Sequence, residues 1–585
     1  MVKERLPLRQ DLSLLPLPFY DDRDMNSLAL PFVMPSNPSN EMLQAAGIVA
    51  SYFGKEATFK SAQFPTSFNQ VPSGNAVVFA VGAQSPSGIS LPGVNAPTLA
   101  VVQNPSDPNG RLLLVLGGSG EQILTAAQTL AISAPGTLSG PTAQAGQPEF
   151  RPRQPYDAPR WLPMDRPVAM GELINEVTDL QGNGLFPGVL SVNFRTAPGI
   201  FAWRDAGIPL IVRYRYPGGQ WLDYETSRLD VLINNAYVES LPLNRREGRM
   251  EPLDTLITAN FIDNENTVLV PPSRVTARNQ LQFFYDLKPI KKNECEGTIP
   301  DNIRTVIDPE TTIDFSSALR VATLPNLAFF ANSGFPFTRL ADLSETAVVL
   351  PDRLTQEDVE SYLSLMGLMG ESTGYPTVQV TVVRSAAVDQ VADKDLLVIG
   401  DVNRQPLVGA WTGDNQFRFE GGRLRVDLSQ PIDRLYTVFD RRASYAEQAS
   451  ARENADRMLT SIGDDLAGVI SFRSPLNSSR TVVMVIGSSP EGLVEVTKSV
   501  RSPDRVPLVQ GDMVLLKGNN VTSFRVGEEY TPERVPFQKR LKWYFADRPL
   551  VLLVLLLLGT VIVAAALLFL LRRIADQRLR RPAEN

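Results

Sequence analysis

The sequence predicts a multidomain α/β plus all-β protein: two α/β domains flanking an antiparallel β-sandwich, then a single transmembrane helix near the C-terminal end. Three observations carry this reading. Two stretches alternate short apolar runs with helical periodicity and echo one another, the stretch between them has a period of two, and residues 549–571 form a run of 23 without a charge. Strand–helix alternation implies a mostly parallel sheet with helices on its faces. A period of two implies half-buried antiparallel strands. A 23-residue helix at 1.5 Å per residue exceeds the roughly 30 Å of a bilayer's hydrocarbon core.

The first α/β domain is placed at 27–140, after a linker at 1–26. Leu30 to Val33 reads as a strand, and the helix after it puts Met42, Leu43, Ala46, Val49 and Phe53 on one face. Asn75 to Val81 is a continuous apolar run, as expected of a strand buried on both sides. Arg111 to Leu116 is another, turning through Gly117-Gly118-Ser119-Gly120 into a helix with Ile123, Leu124, Ala127 and Leu130 inward.

A Pro-, Gly- and Gln-rich stretch makes 141–167 a linker. The sandwich, 168–322, alternates apolar and polar residues at Leu190/Val192/Phe194, Leu210/Val212/Tyr214/Tyr216, Leu229/Val231/Ile233 and Leu281/Phe283/Tyr285, with Asn234-Asn235 as a turn. The second α/β domain, 323–512, repeats the first. Ala347 to Leu350 is its opening strand, and Thr355 with Asp358 forms a capping box ahead of Val359, Tyr362, Leu363, Met366 and Met369. Asp395 to Gly400 and Arg480 to Ile486 are its buried strands, with Pro490 at the first position of the next helix. Opening and buried strands are 45 residues apart in the first copy (Leu30 to Asn75) and 48 in the second (Ala347 to Asp395). A long insertion between Val402 and Arg480 breaks the match.

Residues 533–547 mix basic residues with Trp543, Tyr544 and Phe545, a pattern suited to lying at the membrane–water interface. With Pro549, Gly559 and Leu571 of the span they are the candidates for membrane and partner docking. The tail, 572–585, carries Arg572, Arg573, Arg578, Arg580 and Arg581, and this density favours a cytoplasmic tail. Met1 is followed by VKERLPLRQD, which is not a signal peptide. The expectation is therefore either a chain that has lost an export signal or a tail-anchored one with a cytosolic body.

Composition narrows the chemistry. The chain has no histidine, which removes Ser-His-Asp, Cys-His and His-zinc sites together. A net charge of −7 argues against nucleic acid as a partner. The lone cysteine, Cys295, reads as structural. No cofactor, metal or catalytic residue is marked out, although carboxylate-only glycoside hydrolysis stays open. Gly117-Gly118-Ser119-Gly120 lacks the Gly-Lys-Ser/Thr of a P-loop and reads as a tight turn. Arg245 and Arg249 have a spacing that could grip a cyclic dinucleotide, but no polar motif follows; the spacing reads as a solvated loop. Trp203, Tyr214, Tyr216 and Trp221, with Tyr224, could stack on sugar rings or could fill the sandwich core.

The chain resembles the bacterial cellulose synthase regulatory-subunit family. The resemblance rests on Phe194-Arg195, Phe201-Ala202-Trp203, Gly207 to Leu210, Tyr214-Arg215-Tyr216, Ser227 to Val231 and Ile233-Asn234-Asn235. It also rests on Phe329 to Phe337 with Ala341-Asp342-Leu343, on Gly374-Tyr375-Pro376 and on Pro18 to Asp21. It implies flavodoxin-like α/β domains without flavin, a carbohydrate-binding-like sandwich, and a non-catalytic regulatory role in a cyclic di-GMP-activated complex, with the activator bound by the catalytic partner. The implied partners are the cellulose synthase catalytic subunit, membrane lipid, nascent cellulose and further copies of the chain. The implied location is the bacterial inner membrane, with a periplasmic body. Family members carry two sandwich–flavodoxin-like repeats, so a first sandwich and a signal peptide are expected to precede this sequence. The rival readings are a membrane-anchored carboxylate-based glycoside hydrolase and a tail-anchored cytosolic binding module.

Overall fold

The computed structural model describes residues 9–82, 86, 94–201, 207–219, 221–243, 261–290, 300, 302–412, 417–420, 423–428, 445–463, 465–531 and 549–579. In the first α/β domain a six-stranded sheet runs in the order Thr66–Phe68, Phe32–Met34, Ala76–Val81, Asp107–Gly117, Thr98–Asn104, Thr142–Gln144. The first four strands pair parallel, and the last two pairings are antiparallel. Helix α1 (Asn40–Ala57) starts where the Ser39 hydroxyl accepts the Met42 N–H, and α2 (Gly120–Ile132) where Ser119 does the same for Gln122. Each cap satisfies one of the donors a helix N-terminus leaves unpaired.

The central domain is a sandwich. Leu190–Arg195, Arg278–Asp286, Arg228–Ile233 and Ala236–Pro242 form a four-stranded antiparallel sheet. The facing sheet centres on Ile208–Pro217, which pairs with Phe261–Val270 on one side and with Arg304–Ile307 and Thr312–Ile313 on the other. Alternate residues of the central strands of both sheets meet in one buried core.

The second α/β domain repeats the first. Its sheet order is Thr381–Arg384, Thr346–Leu350, Asp395–Asp401, Thr481–Gly487, Ala467–Arg473, Met513–Lys517, Asn520–Phe524. Again four parallel strands are followed by antiparallel ones. A short helix, α3 (Leu327–Ser333), precedes the first strand. Next comes α4 (Gln356–Thr373), with the Thr355–Asp358 capping box present. The insertion holds α5 (Pro406–Thr412), a hairpin of Phe417–Glu420 with Arg423–Val426, and α6 (Tyr445–Ile462). Helix α7 (Pro490–Ser499) follows with Pro490 at its start. The first sheet reaches Gln144 and the second Phe524, past the expected boundaries at 140 and 512.

The two α/β domains share one core, because α1 lies directly on α4. Small residues permit the approach. A Cβ added at Gly54 would stand 2.2 Å from the Gly367 carbonyl oxygen, and one at Gly370 would stand 2.1 Å from that of Ser51. At Gly47 it would meet the Tyr362 hydroxyl, which donates to the Leu43 carbonyl at 3.1 Å.

Arg160 of the linker closes the ends of this helix pair, donating to the carbonyls of Glu371 at 2.5 Å and Lys55 at 2.7 Å. A cation suits these C-terminal carbonyls. The Glu371 carboxylate holds Arg195, and Arg278 at 3.3 Å, from neighbouring strands of the sandwich. One buried acid thus fastens the sandwich to the helical layer. A final helix, α8, runs Pro549–Leu579.

Candidate functional site

The sandwich aromatics divide by burial. Tyr214 and Tyr216 are 1% and 0% exposed and stand inside the sandwich, which corrects their reading as surfaces for a sugar. The strand carrying them is central, and its alternation sends both rings to the same inner face. The rings stack on one another with centroids 6.1 Å apart. The Tyr214 hydroxyl donates to the Pro242 carbonyl at 2.9 Å and accepts from Asn266 Nδ2 at 2.8 Å, while Tyr216 accepts from Asn264 Nδ2 at 3.0 Å. Burial pushes both phenols above their ordinary range.

Trp221 and Tyr224 are half-buried and pack on the same core. The Gly219 backbone crosses so close to the indole that a Cβ there would lie 2.7 Å from the ring. The Trp221 Nε1 is buried and meets no acceptor among the described residues. Tyr224 accepts the Gly219 N–H at 2.8 Å. Trp203, Arg245, Arg249, Cys295, Trp543, Tyr544 and Phe545 lie outside the described residues.

The aromatic rings that do face outward are not the ones the sequence pattern singles out. Phe186, in the loop before the first strand, is 87% exposed; Tyr237 is 59% exposed and Phe284 38%, both on the outer face of the four-stranded sheet. A signal for one of them exists: in Phe283-Phe284-Tyr285 the alternation puts the middle ring on the side opposite its neighbours.

Other candidate chemistry resolves into structure. In the glycine turn, Gly118 donates to Gln122 Oε1 at 2.8 Å and the Gln122 N–H points to Ser119 Oγ at 3.4 Å, so the turn serves as the cap of α2. Among the described residues no group of three or more His, Cys, Asp or Glu could hold a metal ion. Several buried acids are engaged: Asp358 with Arg404, Asp456 with Arg425 and Asp395 with Arg480. Asp512 is buried and accepts the Val526 N–H at 2.8 Å and the Gly527 N–H at 2.5 Å; burial raises its carboxyl to about 6 despite these donors.

At the C-terminal end, Leu553–Asp576 is long and apolar enough to cross a membrane, 24 residues or about 36 Å. Its side chains are exposed, unlike those of a buried core helix. Pro549, Gly559 and Leu571 all fall on α8, and the helix continues through Arg572 and Arg573 to Leu579, into what the sequence suggests is tail.

Three family models match the chain in succession: "Cellulose synthase BcsB, first FD domain" at 11–145, "second CBM domain" at 167–312 and "second FD domain" at 320–485. A Komagataeibacter xylinus protein named "Cyclic di-GMP-binding protein" is 36% identical over 553 residues, 94% of this chain and 68% of that one. The chain belongs to the BcsB family. Its two α/β domains are the family's FD domains and its sandwich a CBM domain. A Xanthomonas axonopodis pv. citri BcsB relative of the same printed name is 36% identical over 98% of this chain and 73% of its own length. "Cellulose synthase 1" of Komagataeibacter xylinus is 35% identical over 94% of this chain, which covers 36% of that longer protein. The BcsB region is therefore found both as a separate chain and as part of a larger synthase.

Proposed function

We propose that this chain is the non-catalytic accessory subunit of a bacterial cellulose synthase, held in the inner membrane by α8, with its body in the periplasm and its arginine-rich tail in the cytoplasm. The observation that carries the proposal is the match over nearly the whole chain to a region that, in a longer relative named cellulose synthase, belongs to the same polypeptide. A region joined covalently to a synthase in one protein works beside it when encoded separately. The 533–547 segment and α8 dock on the catalytic subunit, with Trp543, Tyr544 and Phe545 at headgroup depth and Gly559 a point of close helix approach. The sandwich helps guide the emerging glucan. Relatives are named cyclic di-GMP-binding proteins. In this reading the complex responds to that activator through the catalytic partner, because a periplasmic body does not meet a cytosolic nucleotide.

The test is copurification of the catalytic subunit with this chain and with a variant whose 549–571 span is replaced by an unrelated apolar helix. The native span should retain an active synthase and the substitute should not. Equal retention would reduce α8 to an anchor. Full polymerising activity with a chain ending at Val535 would refute the subunit role.

A further inference from the structure

The outer face of the four-stranded sheet carries a band unlike the rest of the sandwich surface. Strand register places Phe284, Asp230 and Ser240 in one row, at the end where Val189 immediately precedes the first strand. The adjacent outward row is Ser191, Gln282, Leu232 and Tyr237. Val189 is 52% exposed, and the exposed rings of Phe284 and Tyr237 stand on the second strand and on the far edge strand. Lys, Arg and Glu are absent from both rows, and the one charge, Asp230, is held by Arg228 at 3.1 Å. Charged rows bound this face: Arg228 with Asp286 and Lys288 directly at one end, and Arg195 and Arg278 with Glu371 at the other, beyond the uncharged pair Asn193 and Gln280.

The polar groups of the band are already ordered. Gln282 Nε2 donates to Asn235 Oδ1 at 2.9 Å and Gln280 Oε1 at 3.0 Å, and Gln282 Oε1 accepts the Asn235 N–H at 3.0 Å. The Tyr237 hydroxyl lies 3.0 Å from Ser240 Oγ, which in turn donates to Asp230. Exposed side chains fixed this way have lost their freedom before any ligand arrives, which lowers the entropic cost of binding. Phe284 and Tyr237 lie two strands apart, about 10 Å across the sheet, close to the span of a disaccharide.

We infer that this band, centred on Tyr237 and Phe284, is a docking surface for a neutral, extended β-linked glucan; the inference rests on the glucan-handling part of the proposed function. Its chemistry selects the ligand. A pyranose ring has an apolar C–H face that suits an aromatic ring and hydroxyls at its rim that suit fixed amides and hydroxyls. The two rows hold no cation for a phosphate-bearing ligand, because the nearest arginine, Arg228, is paired with Asp230. The three rows between the charged ends, across four strands, cover roughly 20 by 20 Å, about half of the roughly 800 Å² per partner that a stable protein interface needs.

The test is binding of cellohexaose, with maltohexaose as control, to the full chain in detergent by calorimetry. The wild type should bind cellohexaose, and the Tyr237→Ala/Phe284→Ala double variant should bind at least tenfold more weakly, with an unchanged thermal transition. Tyr237→Phe/Phe284→Trp should keep the affinity. Unchanged affinity in the alanine variant, or no binding by the wild type, overturns the surface. So does a change confined to sedimentation, which would make the band a contact between copies. Copurification with the catalytic subunit judges the accessory-subunit reading separately, because these side chains lie on the sandwich and not on α8.

Discussion

Gly370→Ala places the α1–α4 contact against helix propensity, with opposite signs. In an unconstrained helix, alanine in place of glycine stabilises by about 1 kcal/mol. Here the added methyl would stand 2.1 Å from the Ser51 carbonyl oxygen and 3.0 Å from Ser51 Cα. Both neighbours are backbone, so no rotamer change relieves the clash, and the helices must part by about 1.4 Å to restore contact near 3.5 Å. The same movement loosens the packing at Gly54 and Gly367 and stretches the Tyr362–Leu43 hydrogen bond. Overpacking of this kind costs up to about 3 kcal/mol, and the strained bond adds about 1 kcal/mol. After the propensity gain the net loss is about 3 kcal/mol. Urea titration of the detergent-solubilised chain, followed by far-ultraviolet circular dichroism, reads it directly. Gly409→Ala in the exposed part of α5, where the nearest neighbour is 3.9 Å away, is the control and should be neutral or slightly stabilising. A Gly370→Ala chain as stable as the wild type would refute the shared, tightly closed helical layer.

Three further substitutions probe other parts of the molecule. Glu371→Gln leaves Arg195 without its buried partner and should cost about 3 kcal/mol, with faster trypsin cleavage in the 141–167 linker as the sandwich loosens. Tyr214→Ala should destabilise the sandwich by about 4 kcal/mol in the same titration, as a core residue does and a surface ring does not. Asp512, raised by burial to about 6 from 3.8, holds its proton more tightly folded than unfolded. Its contribution is full below about pH 4 and lost as pH rises through about 6, a change of about 3 kcal/mol. Asp512→Asn should remove that slope from the stability profile between pH 4 and 7, and an unchanged slope would assign it to other groups.

Patterns that depend on nearest neighbours along the chain are the legible ones. The Thr355–Asp358 capping box, Pro490 at a helix start and the continuous runs at Asn75 to Val81 and Asp395 to Gly400 all reappear as structure, because each is set by local hydrogen bonding or by burial on both sides. Long-range pairing is not legible in this way. The strands Thr98–Asn104 and Ala467–Arg473 join their sheets by antiparallel pairing with partners that no local pattern announces. The α1–α4 contact is hidden for the same reason: Gly47, Ser51 and Gly54 share one helical face, yet nothing in that face names Gly367 and Gly370 as its match. The tyrosines show the limit of periodicity as a guide to sites. Alternation places Tyr214 and Tyr216 on one face of a strand, and only the facing sheet decides that this face is the inside. Conversely Phe284, between two core aromatics, stands on the outer side by the same rule.

The shared helical layer also has a consequence for synthesis. Its halves are far apart in the chain, α1 ending at Ala57 and α4 beginning at Gln356, 299 residues later. At about 5–20 residues per second, the ribosome delivers the second half roughly 15–60 s after the first. Through that interval the nascent first domain holds an uncovered apolar helix face, while the sandwich, whose strands all fall between the two helices, can already close on itself. Chaperone dependence should therefore concentrate on α1, and a chain stalled before Gln356 should be the species that aggregates.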